Sequence, residues 1–311
     1  MPTAYYSHPE CRLHDMGGGH PECPQRLDAI ADRLIASGLD VALEHREAPL
    51  AELAPLTRAH STAHVMHLKD LLEQLHASGE RRAIDPDTLA CPGTWRSALR
   101  AAGAAVAATD AVIAGEVDNA FCAVRPPGHH ATRDAAMGFC FFNNVAIAAR
   151  HALDVHGLER VAIVDFDVHH GNGTEDIIAG DERVLMASFF QHPLYPGSGA
   201  VPMGTNMVNV PIPPYTRGGE VREVIEAMWM PRLEEFKPQM LFVSAGFDAH
   251  RDDELGQLGL VEADYEWITR RIKDVADRHA GGRIVSCLEG GYALGALGRS
   301  VAAHLRVLAG L

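Results

Sequence analysis

The stretch Val161-Ala-Ile-Val-Asp-Phe-Asp-Val-His-His-Gly-Asn-Gly-Thr174 begins as an apolar run and carries Asp165, Asp167 and His169 at alternate positions. A short apolar run that stops at glycines is typical of a buried strand leading into a loop. If the run is extended, alternate side chains point to the same side, so the three polar groups lie together at its end. Such a cluster alone is a weak signal, because many strands end in polar loops.

Three more apolar runs end in reactive side chains. Phe242-Val-Ser-Ala-Gly-Phe-Asp248 stops at a carboxylate, and Ile284-Val-Ser-Cys-Leu-Glu-Gly-Gly-Tyr292 stops at a tyrosine beyond two glycines. Ala120-Phe-Cys-Ala-Val124 leads into Arg125-Pro-Pro-Gly-His-His130. Ligand sites of open parallel sheets lie outside the carboxyl ends of the strands. Four runs that end in this way therefore predict one active site.

The residue types at these ends indicate a metal. Zinc commonly takes three protein ligands at a catalytic site and leaves one position for water or substrate, and Asp167, His169 and Asp248 would supply those three. Two carboxylates and one imidazole neutralise a divalent cation and are harder ligands than thiolates. Fe²⁺ or Co²⁺ could therefore replace Zn²⁺.

Helical and apolar patterns alternate along the chain, which predicts an α/β fold with a parallel sheet covered on both faces. Helices are predicted at 25–36, 94–114, 143–156, 219–236 and 294–309, with another after Val261. Strands are predicted at 120–124, 161–167, 184–189, 240–245 and 283–288. No linker, repeat or low-complexity tract divides the 311 residues, so one domain over 1–311 is predicted.

Charge and cysteine content restrict the partners and the compartment. The formal net charge of −14 argues against direct nucleic-acid binding, which needs clustered Lys and Arg, and is compatible with a cationic substrate. The first residues lack the pattern of an export signal, and the alanine-rich segment 101–114 contains Asp110, so neither export nor membrane insertion is expected. Six cysteines without Cys-x-x-Cys spacing indicate reduced thiols and a cytoplasmic location.

Together, Arg125-Pro-Pro-Gly-His-His130, Asp165-Phe-Asp-Val-His-His-Gly-Asn-Gly173, Ser244-Ala-Gly-Phe-Asp248 and Glu289-Gly-Gly-Tyr292 resemble the signature of the histone deacetylase superfamily. The motifs occur in family order and span most of the chain. The resemblance implies an arginase-deacetylase fold, in which helices flank a central, mostly parallel eight-stranded sheet. It also implies hydrolysis of an acyl amide with zinc as the cofactor.

Carried over to this chain, the resemblance implies a role for each matched residue. The zinc ligands would be Asp167, His169 and Asp248, and the tandem histidines and the transition-state tyrosine would be His129, His130 and Tyr292. The acyl-lysine tunnel would be walled by Phe139, next to Gly138, and by Tyr195. A structural K⁺ would be held by Asp165, Asp167, His169 and Ser188.

Two details bear on the subfamily. Asn172 stands where class I enzymes have Asp, and His20-Pro-Glu22 with Gln25-Arg26-Leu27 resembles the first loop of class II enzymes and their bacterial relatives. Leu255 occupies the place of the glutamate gatekeeper of the polyamine-selective class II member. If the alignment slips by one residue, the matched residue is Glu254. The substrate is thus expected to be acyl-lysine in a protein or peptide, with a small acetylated amine as the alternative.

Amide hydrolysis needs an activated water, a polarised carbonyl and a proton for the departing amine. His130 is the predicted general base and then general acid, and His129 assists electrostatically. Tyr292 would donate its hydroxyl to the developing oxyanion. Asp165 would orient His129, and the neutral amide of Asn172 would orient His130 and make it less basic than a carboxylate would.

Other functions remain open at this point. An acetylpolyamine deacetylase would use the same chemistry, and a catalytically silent acyl-lysine or metal-binding module would not need His129, His130 and Tyr292. An arginase-like hydrolase would need further carboxylates for two manganese ions. The histidines at positions 60, 64 and 67 are interpreted as an ordinary helix face, since no other ligand type clusters with them. The oligomeric state is not predicted.

Overall fold

The strands at the centre of the molecule are buried at every position, so both faces of their sheet are covered. The computed structural model describes residues 2–311. The strands are Thr3–Ser7 (β1), Leu43–Glu47 (β2), Arg82–Ala83 (β3), Leu89–Ala90 (β4), Asn119–Cys122 (β5), Val161–Asp165 (β6), Val184–Gln191 (β7), Met207–Ile212 (β8), Leu241–Ala245 (β9) and Ile284–Leu288 (β10).

Eight of these strands form one sheet in the order β2-β1-β5-β10-β9-β6-β7-β8. All neighbours in this sheet run parallel, and β3 and β4 form a separate antiparallel hairpin. The four runs that end in reactive side chains are β5, β10, β9 and β6, which are consecutive neighbours at the centre of the sheet. Their carboxyl ends therefore share one edge.

Two groups of helices accompany the sheet. The helices are Gln25–Ala36 (α1), Leu53–Ala59 (α2), Thr62–Ser78 (α3), Thr94–Ile113 (α4), Asn144–Asp154 (α5), Asn172–Ile178 (α6), Gly218–Val224 (α7), Met230–Phe236 (α8), Glu262–His279 (α9) and Leu294–Leu308 (α10). Helix α10 packs against α1 and α9, while α4 and α5 pack against each other and against α3 and α2. Short 3₁₀ turns lie at Pro9–Arg12 and Asp40–Ala42.

The five predicted strands are confirmed, with their ends shifted by one to two residues, whereas β1, β2, β3, β4 and β8 were not predicted. Strand β2 lies at one edge of the sheet, and exposed or half-buried charged residues interrupt its pattern. Strand β8 lies at the other edge and contains Pro211, which a central strand would not tolerate. Edge strands carry a weaker apolar pattern than central strands, because only part of their surface is buried.

The predicted helix at 219–236 is interrupted. Helices α7 and α8 are joined by a π-helical segment, Ile225–Trp229. Pro231 lies two residues after the end of this segment and has no backbone N–H, so regular α-helical hydrogen bonding cannot continue through it. The ring of Trp229 is buried and stacks on Phe189 with centroids 5.6 Å apart.

The six cysteines are all free, and five of them are buried. Between residues 2 and 311, none of the helices has the length and apolar character needed to traverse a lipid bilayer.

Candidate active site

The loops that leave β5, β6, β9 and β10 bring the predicted residues into one cluster. Strand β6 ends at Asp165, two residues earlier than predicted, so Asp167 and His169 lie in the following loop. The alternation of side chains along a strand therefore does not explain why Asp167 and His169 lie close together. Oδ1 of Asp165 accepts the N–H of Asp167 at 3.1 Å, and Oδ1 of Asp167 accepts the N–H of His169 at 2.9 Å. These two side-chain turns fold the loop back on itself.

Asp167, His169 and Asp248 present ligand atoms that all lie within 4.8 Å of one another. Nδ1 of His169 lies 3.0 Å from Oδ1 of Asp167 and 3.2 Å from Oδ2 of Asp248. Oδ2 of Asp248 is buried and accepts no hydrogen bond in spite of this proximity. An unpartnered carboxylate oxygen at a buried position is costly, and a cation at this point would satisfy it. The donor set therefore fits a divalent metal ion.

Backbone donors satisfy the other carboxylate oxygens of this group. The N–H of Val168 donates to Oδ1 of Asp248 at 2.9 Å, and the N–H of Gly290 donates to Oδ2 of Asp167 at 2.9 Å. A Cβ on residue 290 would lie 2.0 Å from Oδ2 of Asp248. Only glycine allows this close approach, so Gly290 is required by the geometry of the carboxylate pair.

The pKa values of the two buried carboxylates, Asp167 and Asp248, shift in opposite directions. Burial and the charge of Asp167 raise the pKa of Asp248 to about 7. Burial acts in the same direction on Asp167, but His129 and His169 outweigh it and hold the pKa of Asp167 well below its usual range. Burial lowers the pKa of His169, but the adjacent carboxylates of Asp167 and Asp248 raise it to about 10. A cation would relieve the repulsion between the carboxylates.

The tandem histidines are held in different protonation states. Nδ1 of His129 lies 3.0 Å from Oδ2 of Asp165, and Nδ1 of His130 lies 2.8 Å from Oδ1 of Asn172. Burial alone would lower the pKa of His129, but Asp167 and Asp165 raise it to about 10. Burial and the charge of His129 lower the pKa of His130 well below its usual range. His130 is thus neutral, and the amide oxygen of Asn172 accepts its Nδ1 proton, which leaves Nε2 free as a base.

A cavity of about 490 Å³ opens onto these groups. Its walls are formed by His20, Pro21, Pro86, Asp87, Leu89, His130, Gly138, Phe139, His169, Leu194, Tyr195, Leu255 and Tyr292. Most of the predicted site residues thus border one space. Of the two gatekeeper candidates, Leu255 lines the cavity, whereas Glu254 is exposed and is not part of its wall.

Phe139 and Tyr195 form aromatic walls of the cavity. The ring of Phe139 meets the ring of Tyr292 edge to face with centroids 6.0 Å apart, and that of Tyr195 meets His130 with centroids 5.0 Å apart. Phe139 has a φ of +69°, a backbone conformation that a bulky residue rarely adopts. At Gly138, with a φ of +54°, a Cβ would lie 2.5 Å from the ring of His130. This loop therefore packs directly on the histidine.

Tyr292 follows β10 and keeps its proton at neutral pH, since burial and the charge of Asp248 raise the pKa of its hydroxyl well above the usual value.

Glu289, three residues before Tyr292, has a role that its motif alone does not indicate. Oε2 of Glu289 accepts the N–H groups of Gly128 and His129 at 2.6 and 3.1 Å. Burial raises the pKa of Glu289 to about 7. No local sequence pattern indicates this role, because Glu289 acts on a loop that lies some 160 positions earlier.

The residues predicted for a structural K⁺ lie close together. Ser188 is opposite Asp165 in the register of β6 and β7, and both are buried. Asp167 and His169 follow in the adjoining loop. The four residues thus meet at one end of two neighbouring strands, and the K⁺ itself remains a prediction.

A second group of possible metal ligands, away from the cavity, consists of Asp110 on α4, His151 on α5 and His156 in the turn after α5. Nε2 of His151 and Nε2 of His156 lie 2.7 and 2.6 Å from the same oxygen of Asp110. Nη1 of Arg58 lies 3.3 Å from Nδ1 of His151. Because a guanidinium can only donate, Nδ1 accepts, and the proton of His151 sits on Nε2 and points at Asp110. The group is therefore a hydrogen-bonded chain rather than a metal site.

The histidines interpreted as a helix face are only partly on one helix. His64 and His67 belong to α3, but His60 ends α2. Nδ1 of His60 lies 2.8 Å from the carbonyl oxygen of Thr132, and Nε2 accepts the N–H of Asn143 at 2.9 Å. Burial lowers the pKa of His60 to about 3. His60 thus has a structural role as a neutral link between loops.

This chain is similar to known proteins in sequence and in fold. Residues 20–308 match the family model described as the histone deacetylase domain. A histone deacetylase-like amidohydrolase of Pseudomonas aeruginosa is 40% identical over 281 residues, which cover 88% of this chain and 73% of that protein. A probable deacetylase of Archaeoglobus fulgidus is 38% identical over 94% of this chain and 82% of that protein.

Two further similarities concern substrate and fold. The polyamine deacetylase HDAC10 of Mus musculus is 38% identical over 97% of this chain and 46% of that protein. The crystal structure of the HDA15 HD domain superposes with a TM-score of 0.91 at 33% identity and covers 99% of this chain and 90% of that one. The chain therefore belongs to the histone deacetylase family, as its motifs predicted. It is a hydrolase of the deacetylase type, which sets aside the silent-module and arginase-like alternatives.

Beneath the active-site loops lies a buried ionic network that the motifs did not indicate. Glu22 accepts hydrogen bonds from Nη2 of Arg125 at 2.7 Å and from Nη1 of Arg26 at 3.2 Å, and all three side chains are fully buried. Arg26 in turn donates through Nε to the carbonyl oxygen of Gly291 at 2.7 Å. Burial would raise the pKa of Glu22, but Arg125 above all lowers it to about 2.

Glu22→Gln should lower the free energy of unfolding by about 3–5 kcal/mol at pH 7, because it leaves two buried guanidiniums without a counter-charge. The pKa of Glu22 falls from 4.5 to about 2 on folding. Its contribution is therefore full above pH 4.5, decreases as the pH falls towards 2, and amounts to about 3 kcal/mol. Urea titrations of both proteins between pH 7 and pH 3 measure the difference.

The matched control is Glu73→Gln, which removes an exposed partner of Lys69. This change should cost at most about 1 kcal/mol at any pH, as solvent-exposed ion pairs do. A difference between the wild type and Glu22→Gln that stays constant down to pH 3 would contradict the assigned pKa of Glu22.

Proposed function

We propose that this chain is a zinc-dependent deacylase that hydrolyses the amide of N-ε-acetyl-lysine, or a related short acyl-lysine, in a protein or peptide. The observation that carries the proposal is the position of Asp167, His169 and Asp248 beside the neutral His130, in a cavity with aromatic walls. We further propose that residues 1–311 form one catalytic domain and that the enzyme works in the cytoplasm.

Asp167, His169 and Asp248 would hold the metal. When bound, Zn²⁺ would lower the pKa of a water molecule and polarise the acyl carbonyl, and Fe²⁺ or Co²⁺ would suit the same oxygen and nitrogen ligands. The orphaned Oδ2 of Asp248 supports this assignment. A structural K⁺ at Asp165, Asp167, His169 and Ser188 is part of the proposal.

His130 is the proton-transfer residue in this scheme. Its free Nε2 takes a proton from the attacking water and then returns a proton to the departing amine nitrogen. His129, held charged by Asp165 and Asp167, stabilises the negative charge that develops on the substrate. A histidine that remained charged could not serve as the base, so the different pKa values of the pair support this division of roles.

The cavity walls would hold the acylated chain. Phe139 and Tyr195 offer apolar ring surface to an aliphatic chain, and Tyr292 directs a protonated hydroxyl towards the reacting carbonyl. Leu255 adds an apolar group where the resemblance places a glutamate in the polyamine-selective class II member. An apolar residue offers no partner for a second ammonium group, which favours acyl-lysine over a diamine.

An acetylpolyamine deacetylase is the second candidate. It is favoured by the similarity to the polyamine deacetylase HDAC10 of Mus musculus and by the carboxylate of Asp87 in the cavity wall. The net charge of −14 would also attract a cationic amine.

The test is turnover of the zinc-loaded protein on an acetyl-lysine peptide and on acetylated putrescine and spermidine, with Asp248→Ala as the blank. We expect a higher kcat/KM for the peptide and no turnover by the blank. Preference for the polyamines would make the second candidate correct. No turnover of either substrate would overturn both.

Tyr292→Phe removes one hydroxyl and keeps the ring. Turnover of the acetyl-lysine peptide should fall about 10²–10³-fold, since loss of one donor to a developing oxyanion costs about 3–4 kcal/mol. Bound zinc and the melting temperature should be unchanged. The control is Tyr215→Phe, which alters a ring that is 74% exposed and should keep full activity. Near-normal kcat in Tyr292→Phe would rule out the oxyanion role.

Leu255→Glu places a carboxylate in the cavity wall. It should raise the kcat/KM of acetylated spermidine relative to the peptide about tenfold, which corresponds to about 1.4 kcal/mol of new ionic interaction. Glu254→Gln is the matched control, because the exposed Glu254 lies outside the wall. It should change the ratio less than about twofold. The reverse result would assign the gatekeeper position to Glu254.

A further inference from the structure

Asp253 joins two loops of the active site that are far apart in sequence. It lies in the loop between β9 and α9, five positions after Asp248, and is 6% exposed. Oδ2 of Asp253 accepts the N–H of Tyr292 at 2.6 Å and the N–H of Ala293 at 2.9 Å. The carboxylate is thus bound to the backbone of the residue that carries the oxyanion donor.

The hydrogen bond between Asp253 and the N–H of Ala293 lies at the N-terminus of α10. Ala293 is the residue before this helix, and its own side chain makes no capping hydrogen bond. Helix N-termini leave backbone N–H groups without partners, and a carboxylate placed there is stabilised by both hydrogen bonding and the helix dipole. Asp253 supplies this cap from another loop, so the start of α10 and the position of Tyr292 depend on one side chain.

The second oxygen of Asp253 acts within its own loop. Oδ1 accepts the N–H of Leu255 at 3.1 Å, and the N–H of Asp253 donates to the carbonyl oxygen of His250 at 2.9 Å. The loop is therefore rigid around the carboxylate. Since Leu255 lines the cavity, Asp253 fixes the distance between this wall and Tyr292.

Arg26 holds the same segment from the other side. Its guanidinium donates to the carbonyl oxygens of Glu289 and Gly291 and lies 5.0 Å from the centre of the Tyr292 ring. It thus restrains the carbonyl groups that precede Tyr292, whereas Asp253 restrains the N–H groups of Tyr292 and Ala293. Without Asp253, the loop would still be bound to Arg26, but it would lose the hydrogen bonds that fix the backbone of Tyr292 and Ala293.

We propose that Asp253 is a positioning residue for Tyr292, which sets the place of the phenol by binding the backbone N–H groups of Tyr292 and Ala293 while it anchors Leu255 in the opposite wall. The inference rests on the proposed oxyanion role of Tyr292. Asp253 makes no hydrogen bond to the metal ligands and does not line the cavity, but its charge acts on Asp248. The test must therefore separate an effect that passes through the tyrosine from one that passes through this carboxylate.

The test is a double-mutant cycle with Asp253→Asn and Tyr292→Phe in the zinc-loaded chain of 311 residues. Asparagine has the shape of aspartate but turns an NH₂ group towards either Leu255 or the pair Tyr292 and Ala293, so one set of N–H groups meets a donor. Asp253→Asn should lower kcat for the acetyl-lysine peptide about 10- to 100-fold. The KM should change less than about threefold, and zinc content should stay at the wild-type level.

The decisive comparison is made in the Tyr292→Phe background, where residual turnover is measured at high enzyme concentration. If Asp253 acts through the phenol, adding Asp253→Asn should lower this residual kcat less than about threefold. The matched control is Asp252→Asn, which alters the neighbouring carboxylate, 48% exposed, and should leave kcat unchanged in both backgrounds. Asp253→Ala should give a larger loss of kcat than Asp253→Asn.

The possible outcomes separate the two proposals. An equal loss of kcat in both backgrounds would overturn the positioning role, because the effect would then not pass through Tyr292. Full activity of Asp253→Asn together with an inactive Tyr292→Phe would overturn it as well. Near-normal activity of Tyr292→Phe would instead refute the oxyanion role itself, and the inference would fall with it. If Asp253→Ala does not fold, the asparagine variant alone decides.

Discussion

Two carboxylates buried side by side, Asp167 and Asp248, impose the constraint on which the rest of this site depends. Both are fully buried, and each would repel the other unless donors and a cation compensate for the charge. The backbone N–H groups of Val168 and Gly290 and the ring of His169 supply part of this compensation. The loops after three different strands must therefore converge, two of them with an N–H group that points inward, and one of these two must carry glycine.

The same charge distribution separates the two tandem histidines. His129 lies next to the carboxylates of Asp165 and Asp167 and stays protonated, whereas His130 faces an amide and the charge of its neighbour and stays neutral. Two identical side chains, adjacent in sequence, thus acquire different chemistry from their surroundings. The neutral amide of Asn172 is significant here, because a carboxylate in its place would favour protonation of His130.

Buried charge also determines how the catalytic loops are held. Arg26 binds the segment before Tyr292 through its carbonyl groups, and Asp253 binds the tyrosine and the start of α10 through their N–H groups. Glu22 keeps the guanidinium of Arg26 neutralised in the interior. The tyrosine is thus positioned by side chains with full charges rather than by apolar packing alone. Such partners tolerate little change, because removing one leaves the other buried and unpaired.

The amino-acid sequence by itself determined the central strands, since these are apolar throughout, and the reactive residues at their ends. Only the tertiary structure decided that these strands are neighbours, that edge strands such as β2 join the sheet, and that Glu22 and Asp253 support Tyr292. The periodicity of apolar residues indicates burial along one segment of the chain. The partner of a buried charge depends instead on packing between distant segments, as in the hydrogen bond of Arg26 to Gly291, which lies 265 positions away.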